Sequence, residues 1–268
     1  MIANWNWCLR SKVMNVFLYD KTFDGLLTVV FDAYFRKTFP DLLLKEGEPL
    51  PLFYTEAVTS VTDEAKSNRV WKSLQKKLSS TALSMMTACW LSELPEVDML
   101  LFRYMCKNID SPGGVELSFG DPDVLEVAKL SKKVSQERHR VMQFMRFQKA
   151  SDGTFFGAME PLYNVLPLAL DYLKNRFGYQ KWLVYDIRRK YGFYYDLTTV
   201  TEVYFEGKES HLLSGFLKDE LMAEDEQLFQ QLWKQYFQAI SIKERRNPKL
   251  HRQNMPVRFW KYLTEKRR

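Results

Sequence analysis

His139, Asp186, Tyr194 and Asp196 are the residues of this sequence best suited to proton transfer, and they stand among arginines at 140, 146, 188 and 189. A histidine and a carboxylate in one cleft do general acid–base work. Arginines beside them would hold an anionic substrate such as a nucleotide or nucleobase strand. No spacing enforces this assembly, because the four candidates fall on separate elements. Each also has a plainer reading: His139 as a helix residue bonded to a neighbour, Asp186 as half of a structural ion pair with an arginine.

A second constellation could bind rather than react. From Lys243 to Arg268 there are ten Lys and Arg against Glu244 and Glu265, a net of +8 in a chain whose total is +6. Arg245, Arg246, Lys249, Arg252, Arg258 and Lys261 alternate there with Phe259, Trp260 and Tyr262. Cations neutralise phosphates and rings stack on unpaired bases, each stack contributing about 1–3 kcal/mol. Together with Arg140, Arg146, Arg188 and Arg189 this predicts one positively charged groove able to hold a polynucleotide. The plainer reading packs the three rings on the core and leaves the cations solvated.

Other chemistries find little support. Cys8, Cys89 and Cys106 are widely spaced, with no CxxC pair and no Cys/His cluster of zinc spacing, so no metal site is expected. Reduced structural thiols and a cytoplasmic location follow from that usage. No cofactor is expected either. There is no apolar run of about 18 residues, hence no expected membrane span. The opening MIANWNWCLRSKV lacks the apolar centre of a secretory signal.

The elements that must position these residues are legible in part. Residues 1–13 read as an extension and 14–268 as one α+β domain. Val16–Tyr19 is a strand, and Thr22 caps a helix over LLTVVFDAYFRKTF that Pro40 ends. The single glycine there, Gly25, makes ordinary capping a better account than a phosphate loop. Residues 45–52 read as a loop and Phe53–Val61 as a strand. About 62–135 reads as an all-helical subregion, and Asp121-Pro122-Asp123 opens a basic helix running to about Phe144. Asp152-Gly153 marks a hairpin between two strands in Phe147–Pro161. Asn164 is expected to cap the helix that Gly178 stops.

Lys181–Ile187 is the clearest strand. Its alternation puts Trp182, Val184 and Asp186 on one face and Leu183, Tyr185 and Ile187 on the other. Both faces are apolar, so the strand is central, and Asp186 needs a buried partner, with Arg188, Arg189 and Arg146 as candidates. Phe193–Asp196 returns beside it and Val200–Glu206 follows as a third strand. The sheet is expected to be antiparallel or mixed and to combine 16–20, 146–160 and 181–206. Finally, Leu228, Phe229, Leu232, Trp233, Tyr236, Phe237 and Ile240 form an amphipathic stripe expected to face the core.

The blocks YDKTFDGLLTVVFDAY (19–34), HRVMQFMRFQ (139–148), NVLPLALDYLKNRF (164–177), QKWLVYDIRRKYGFYYD (180–196) and ERRNPKLHRQNMPVRFWKYLTE (244–265) resemble a bacterial family of unknown function described only as probable DNA metabolism proteins. The likeness covers nearly all of 14–268. It implies DNA, duplex or single-stranded, as a partner, together with a radical-SAM protein of DNA modification or repair encoded nearby. Some relatives are fused to a uracil-DNA-glycosylase-like domain. Tyr163 departs from the histidine expected before Asn-Val-Leu-Pro. The family brings no catalytic residues with it. Three functions are therefore carried forward: a nucleic-acid-binding accessory protein, an enzyme of nucleobase or nucleotide chemistry, and a scaffold for the radical-SAM partner.

Overall fold

A computed structural model describes residues 14–205, 214–245 and 247–266. The expectations placed on residues 1–13 and on Arg246 lie outside them. Among the described residues the fold is α+β, with two separate sheets. The backbone divides into two compact units, Met1–Ser131 and Lys132–Arg268, where the sequence reading has one domain.

The first unit opens with β1 (Asn15–Tyr19), α1 (Phe23–Arg36), β2 (Leu42–Lys45) and β3 (Glu56–Thr59). These make a parallel three-stranded sheet in the order β2-β1-β3. Val16, Phe17 and Tyr19 are all buried, as a central parallel strand covered on both faces requires. The expectation that this strand joins the later ones in one sheet is corrected here: β1 pairs with β2 and β3. The strand β2 went unread because Leu42-Leu43-Leu44 is short and does not alternate.

Thr22 caps α1, its hydroxyl accepting from Gly25 N–H at 2.9 Å. Asp20 in turn accepts from Thr22 N–H at 2.9 Å and from the Thr62 hydroxyl at 2.8 Å. A Cβ on Gly25 would lie 2.2 Å from Asp20 Oδ1, so this glycine makes room for a cap. Four helices follow: α2 (Glu64–Lys77), α3 (Ser80–Trp90), α4 (Val97–Asp110) and α5 (Pro122–Phe144). They form the expected helical subregion, and the division between the units falls within α5. Cys89 and Cys106 are buried here as free thiols, pushed up to about 12 by burial.

The second unit holds the end of α5, then β4 (Gln148–Lys149), β5 (Phe155–Met159), α6 (Leu166–Arg176), β6 (Trp182–Asp186), β7 (Tyr191–Tyr195) and β8 (Val200–Tyr204). Its mixed sheet runs in sequence order, with β5 and β6 parallel and the other pairs antiparallel. Strand β6 is central as expected. Val165 replaces Asn164 as the first residue of α6's cap, without a side-chain bond, and the Asn164 amide oxygen instead accepts from the Tyr191 hydroxyl.

The chain ends through α7 (Glu226–Ala239), α8 (Pro248–Asn254) and two 3-10 turns, Val257–Tyr262 and Thr264–Lys266. Phe259, Tyr262 and Leu263 are buried, so two of the three tail aromatics pack in the core. Among the described residues no helix is long and apolar enough to cross a membrane.

Candidate nucleic-acid interface

All the candidate residues of the sequence reading belong to the second unit. Residues 132–268 carry 25 Lys and Arg against 16 Asp and Glu, a net of +9, whereas residues 1–131 have 14 against 17, a net of −3. The basic balance therefore belongs to a whole unit rather than to its tail alone.

The predicted cations do not converge into one groove. Arg188, Arg258 and Lys261 line one cleft, Arg245 a second, and Arg146 a third beside Phe229 and Trp233.

The first cleft, of about 500 Å³, is lined by Glu160, Pro161, Leu162, Arg188, Val257, Arg258 and Lys261. It is built around the loop after β5. Arg188 and Arg189, from the β6–β7 turn, both donate to the Leu162 carbonyl, at 3.0 and 3.2 Å. Arg189 also donates to Asp186 Oδ2 at 2.9 Å, and Asp186 Oδ1 accepts the Arg188 and Arg189 backbone N–H groups at 2.9 and 3.1 Å. Asp186 is wholly buried. Burial pushes its carboxyl up, with the Arg189 guanidinium and the two N–H groups pulling against that rise. The expected structural ion pair is thus present, with Arg189 as the partner.

Glu137 on α5 bonds to two residues of the cleft's lining, Leu162 and Arg258. Its carboxylate is buried and takes Arg258, the Leu162 N–H at 2.9 Å, and Arg140 at 3.6 Å. Sequence reasoning missed this residue, although a signal existed. Leu130, Val134, Glu137, Val141 and Phe144 lie on one face of α5, and the other four are buried apolar residues. A carboxylate inside such a stripe must have a cationic partner. Lys261 pairs with Glu160 at 2.7 Å, a bond that lowers the Glu160 pKa and raises that of Lys261.

Arg146 is likewise committed. It lies just beyond α5, which stops at Phe144. Its guanidinium grips Glu265 at 2.8 Å, donates to the carbonyls of Gln143 and Met145, and sits 5.9 Å over the Trp233 ring. Burial raises the Glu265 carboxyl, but the bonds from Arg146 and the Trp233 indole outweigh it, and the net shift is downward.

The second cleft, of about 430 Å³, is lined by Gln143, Phe144, Arg245, Asn247, Leu250, His251, Asn254 and Met255. Asn247 caps α8, accepting from Leu250 N–H at 3.0 Å. Lys249 and Arg252 are exposed on the same short helix. Among the described residues no ion pair joins Arg245, Lys249 or Arg252 to a carboxylate. His251 Nε2 is buried there without a hydrogen-bond partner, and burial, followed by the Lys266 charge, lowers its pKa. Trp260 is half-buried, donating its indole N–H to the Met255 carbonyl at 3.0 Å, with the His251 ring 5.6 Å and Lys266 5.3 Å away. Sequence reasoning named the cations of this cleft and missed Asn247, His251 and Asn254, whose amides and ring carry no pattern of their own.

The four proton-transfer candidates fall on α5, on the neighbouring strands β6 and β7, and on the turn after β7. His139 is exposed on α5, and Tyr194 is half-buried on β7 opposite Leu183. Asp196 closes the β7–β8 turn, accepting from the hydroxyls of Thr198 at 2.6 Å and Thr199 at 3.0 Å and from both their N–H groups at 2.7 Å. Those bonds hold its carboxyl well below the usual range. None of the four lines either cleft. Among the described residues, no group of three or more His, Cys, Asp and Glu side chains is placed to hold a metal ion.

The stripe on α7 is a further correction. Leu228, Phe229, Leu232, Trp233, Tyr236 and Ile240 are exposed, and only Glu226 is buried on that helix.

Residues 95–265 match the family model of a domain of unknown function (DUF4130). No curated protein and no solved structure matches the chain.

Proposed function

The chain belongs to this family of unknown function, and within it we propose that the protein is a DNA-metabolism accessory protein whose 132–268 unit binds nucleic acid at the α8 cleft. The observation that carries the reading is the exposure of Arg245, Lys249 and Arg252 with no carboxylate partner among the described residues. Such cations keep their full charge for phosphates and release counterions when they bind. Asn247, Asn254 and Gln143 beside them supply donors and acceptors suited to phosphate, sugar and base edges. The resemblance adds the radical-SAM protein as a working partner, a role that co-purification of the two would test.

The deciding experiment is a salt titration of binding to single-stranded and duplex DNA by the full chain. Deleting the tail would strip Phe259 and Leu263 from the core, so point substitutions are the sounder probe. R245A/K249A/R252A should remove about three phosphate contacts and flatten the duplex salt slope by roughly 0.9 for each. K261A, at the paired cleft, should leave the slope nearly unchanged, because Lys261 is already paired with Glu160. Salt-insensitive or absent binding by the parent chain would sink the reading.

A further inference from the structure

The α8 cleft has a floor as well as a rim of cations. Phe144 is buried, and its ring lies 5.3 Å from that of Phe259, so the core holds it in place. Leu250, His251 and Met255 line the same cleft from α8 and the residue after it. The His251 pKa is lowered by burial and then by the Lys266 charge. Near neutral pH this histidine therefore gives the floor a ring and not a cation.

Gln143, Asn247 and Asn254 stand exposed among these groups. The Asn247 oxygen is taken by the Leu250 N–H, which leaves its two amide hydrogens. Among the described residues no hydrogen bond engages the side chains of Gln143 and Asn254. A nucleobase suits this combination. Its two faces pack on rings and aliphatic side chains, and its edge carries donors and acceptors that amides can meet. The cleft's volume of about 430 Å³ lies within the roughly 300–1,000 Å³ of small-ligand pockets. In a duplex the bases are paired and stacked, so a duplex brings its backbone to a concave site. An unpaired strand can turn a base into it.

The surrounding charges favour a base that carries its phosphates. Arg245 is part of the lining. Lys249 and Arg252, three apart on α8, lie on the side of that helix turned away from Leu250, His251 and Asn254. A strand with a base in the cleft meets Arg245 there and crosses α8 to reach the other two. Glu244 is the one carboxylate in the sequence from 243 to 264; it is exposed and pairs with none of the three among the described residues.

We propose that the α8 cleft seats an unpaired nucleobase, so that the protein prefers single-stranded DNA to duplex. This deepens the nucleic-acid reading given above and rests on it.

Binding of the full chain to three probes of equal length tests the proposal. They are a mixed-sequence strand of about 12 nucleotides, the duplex of that strand, and an abasic sugar–phosphate chain. The strand should bind about tenfold or more tighter than the abasic chain, which carries the same phosphates, and tighter than the duplex. L250A/N254A alters two exposed side chains. It should bring the strand's affinity down towards that of the abasic chain, with an unchanged far-ultraviolet circular dichroism spectrum. The abasic comparison uses the parent chain alone and decides the matter even if that variant misfolds. Equal binding of strand and abasic chain, tighter binding of duplex, or a folded L250A/N254A chain that keeps the full preference would each overturn the seated base and leave the phosphate-binding reading intact. Absence of salt-sensitive binding to all three probes would remove both.

Discussion

Two clefts of the second unit both draw on arginine and lysine and do opposite things with them. Around the β5 loop, Arg258, Arg189 and Lys261 each meet a carboxylate, Glu137, Asp186 and Glu160, and their charge is used in holding loop, sheet and tail together. Around α8, Arg245, Lys249 and Arg252 meet none among the described residues. An arginine's type says nothing about whether its charge is available to a partner. The position of the nearest carboxylate decides it, and in a low-dielectric setting that pairing also decides stability.

The comparison breaks first at Asp186. D186A removes the acceptor of two backbone N–H groups and of the Arg189 guanidinium in a fully buried setting. It should cost about 3–5 kcal/mol in chemical denaturation. A cost under about 1 kcal/mol would mean that the paired cleft is not structural.

Glu265 comes next. E265A should cost about 1.5–3 kcal/mol, the range for hydrogen bonds to charged groups, by releasing Arg146 and Trp233. Its folded pKa is depressed, so its contribution is present above the ordinary carboxylate pKa of about 4.5 and is lost as pH falls through the folded value. Melting temperature should therefore fall below about pH 4.5 in the parent chain, and less steeply in E265A. Parallel profiles for the two would remove Glu265 from the account.

At the α8 cleft the expected stability changes are smallest. R252Q should shift unfolding by no more than about 0.5 kcal/mol, as for surface positions without buried partners. A loss several times larger would reveal a hidden carboxylate partner and blur the distinction between the clefts.

How much of this was legible follows from the range of each signal. Strand β6 was readable because alternation is local, and so was the need of Asp186 for a partner, supplied three residues away by Arg189. The pairs Glu137–Arg258 and Arg146–Glu265 are 121 and 119 residues apart, and no local pattern links them. The single groove expected from cation density failed for that reason: the density was visible and the neutralising acids were not assignable. The stripe on α7 was visible as an amphipathic period, but periodicity identifies the apolar side without saying where it points. That direction came from Glu226 and Lys149, 77 residues apart. The N-cap at Thr22 was fully local and stands as read.

Glu137 has a bearing on biogenesis. Its site is complete only when Arg258 arrives, and the same late segment delivers Phe259 and Leu263 to the interior. During synthesis the second unit must therefore wait, with a buried-to-be carboxylate uncompensated, until residues near 258–263 have emerged. Closing so long a loop is slow. The waiting nascent chain would be the stage most in need of a chaperone, and premature termination before residue 258 would leave a product fit mainly for degradation.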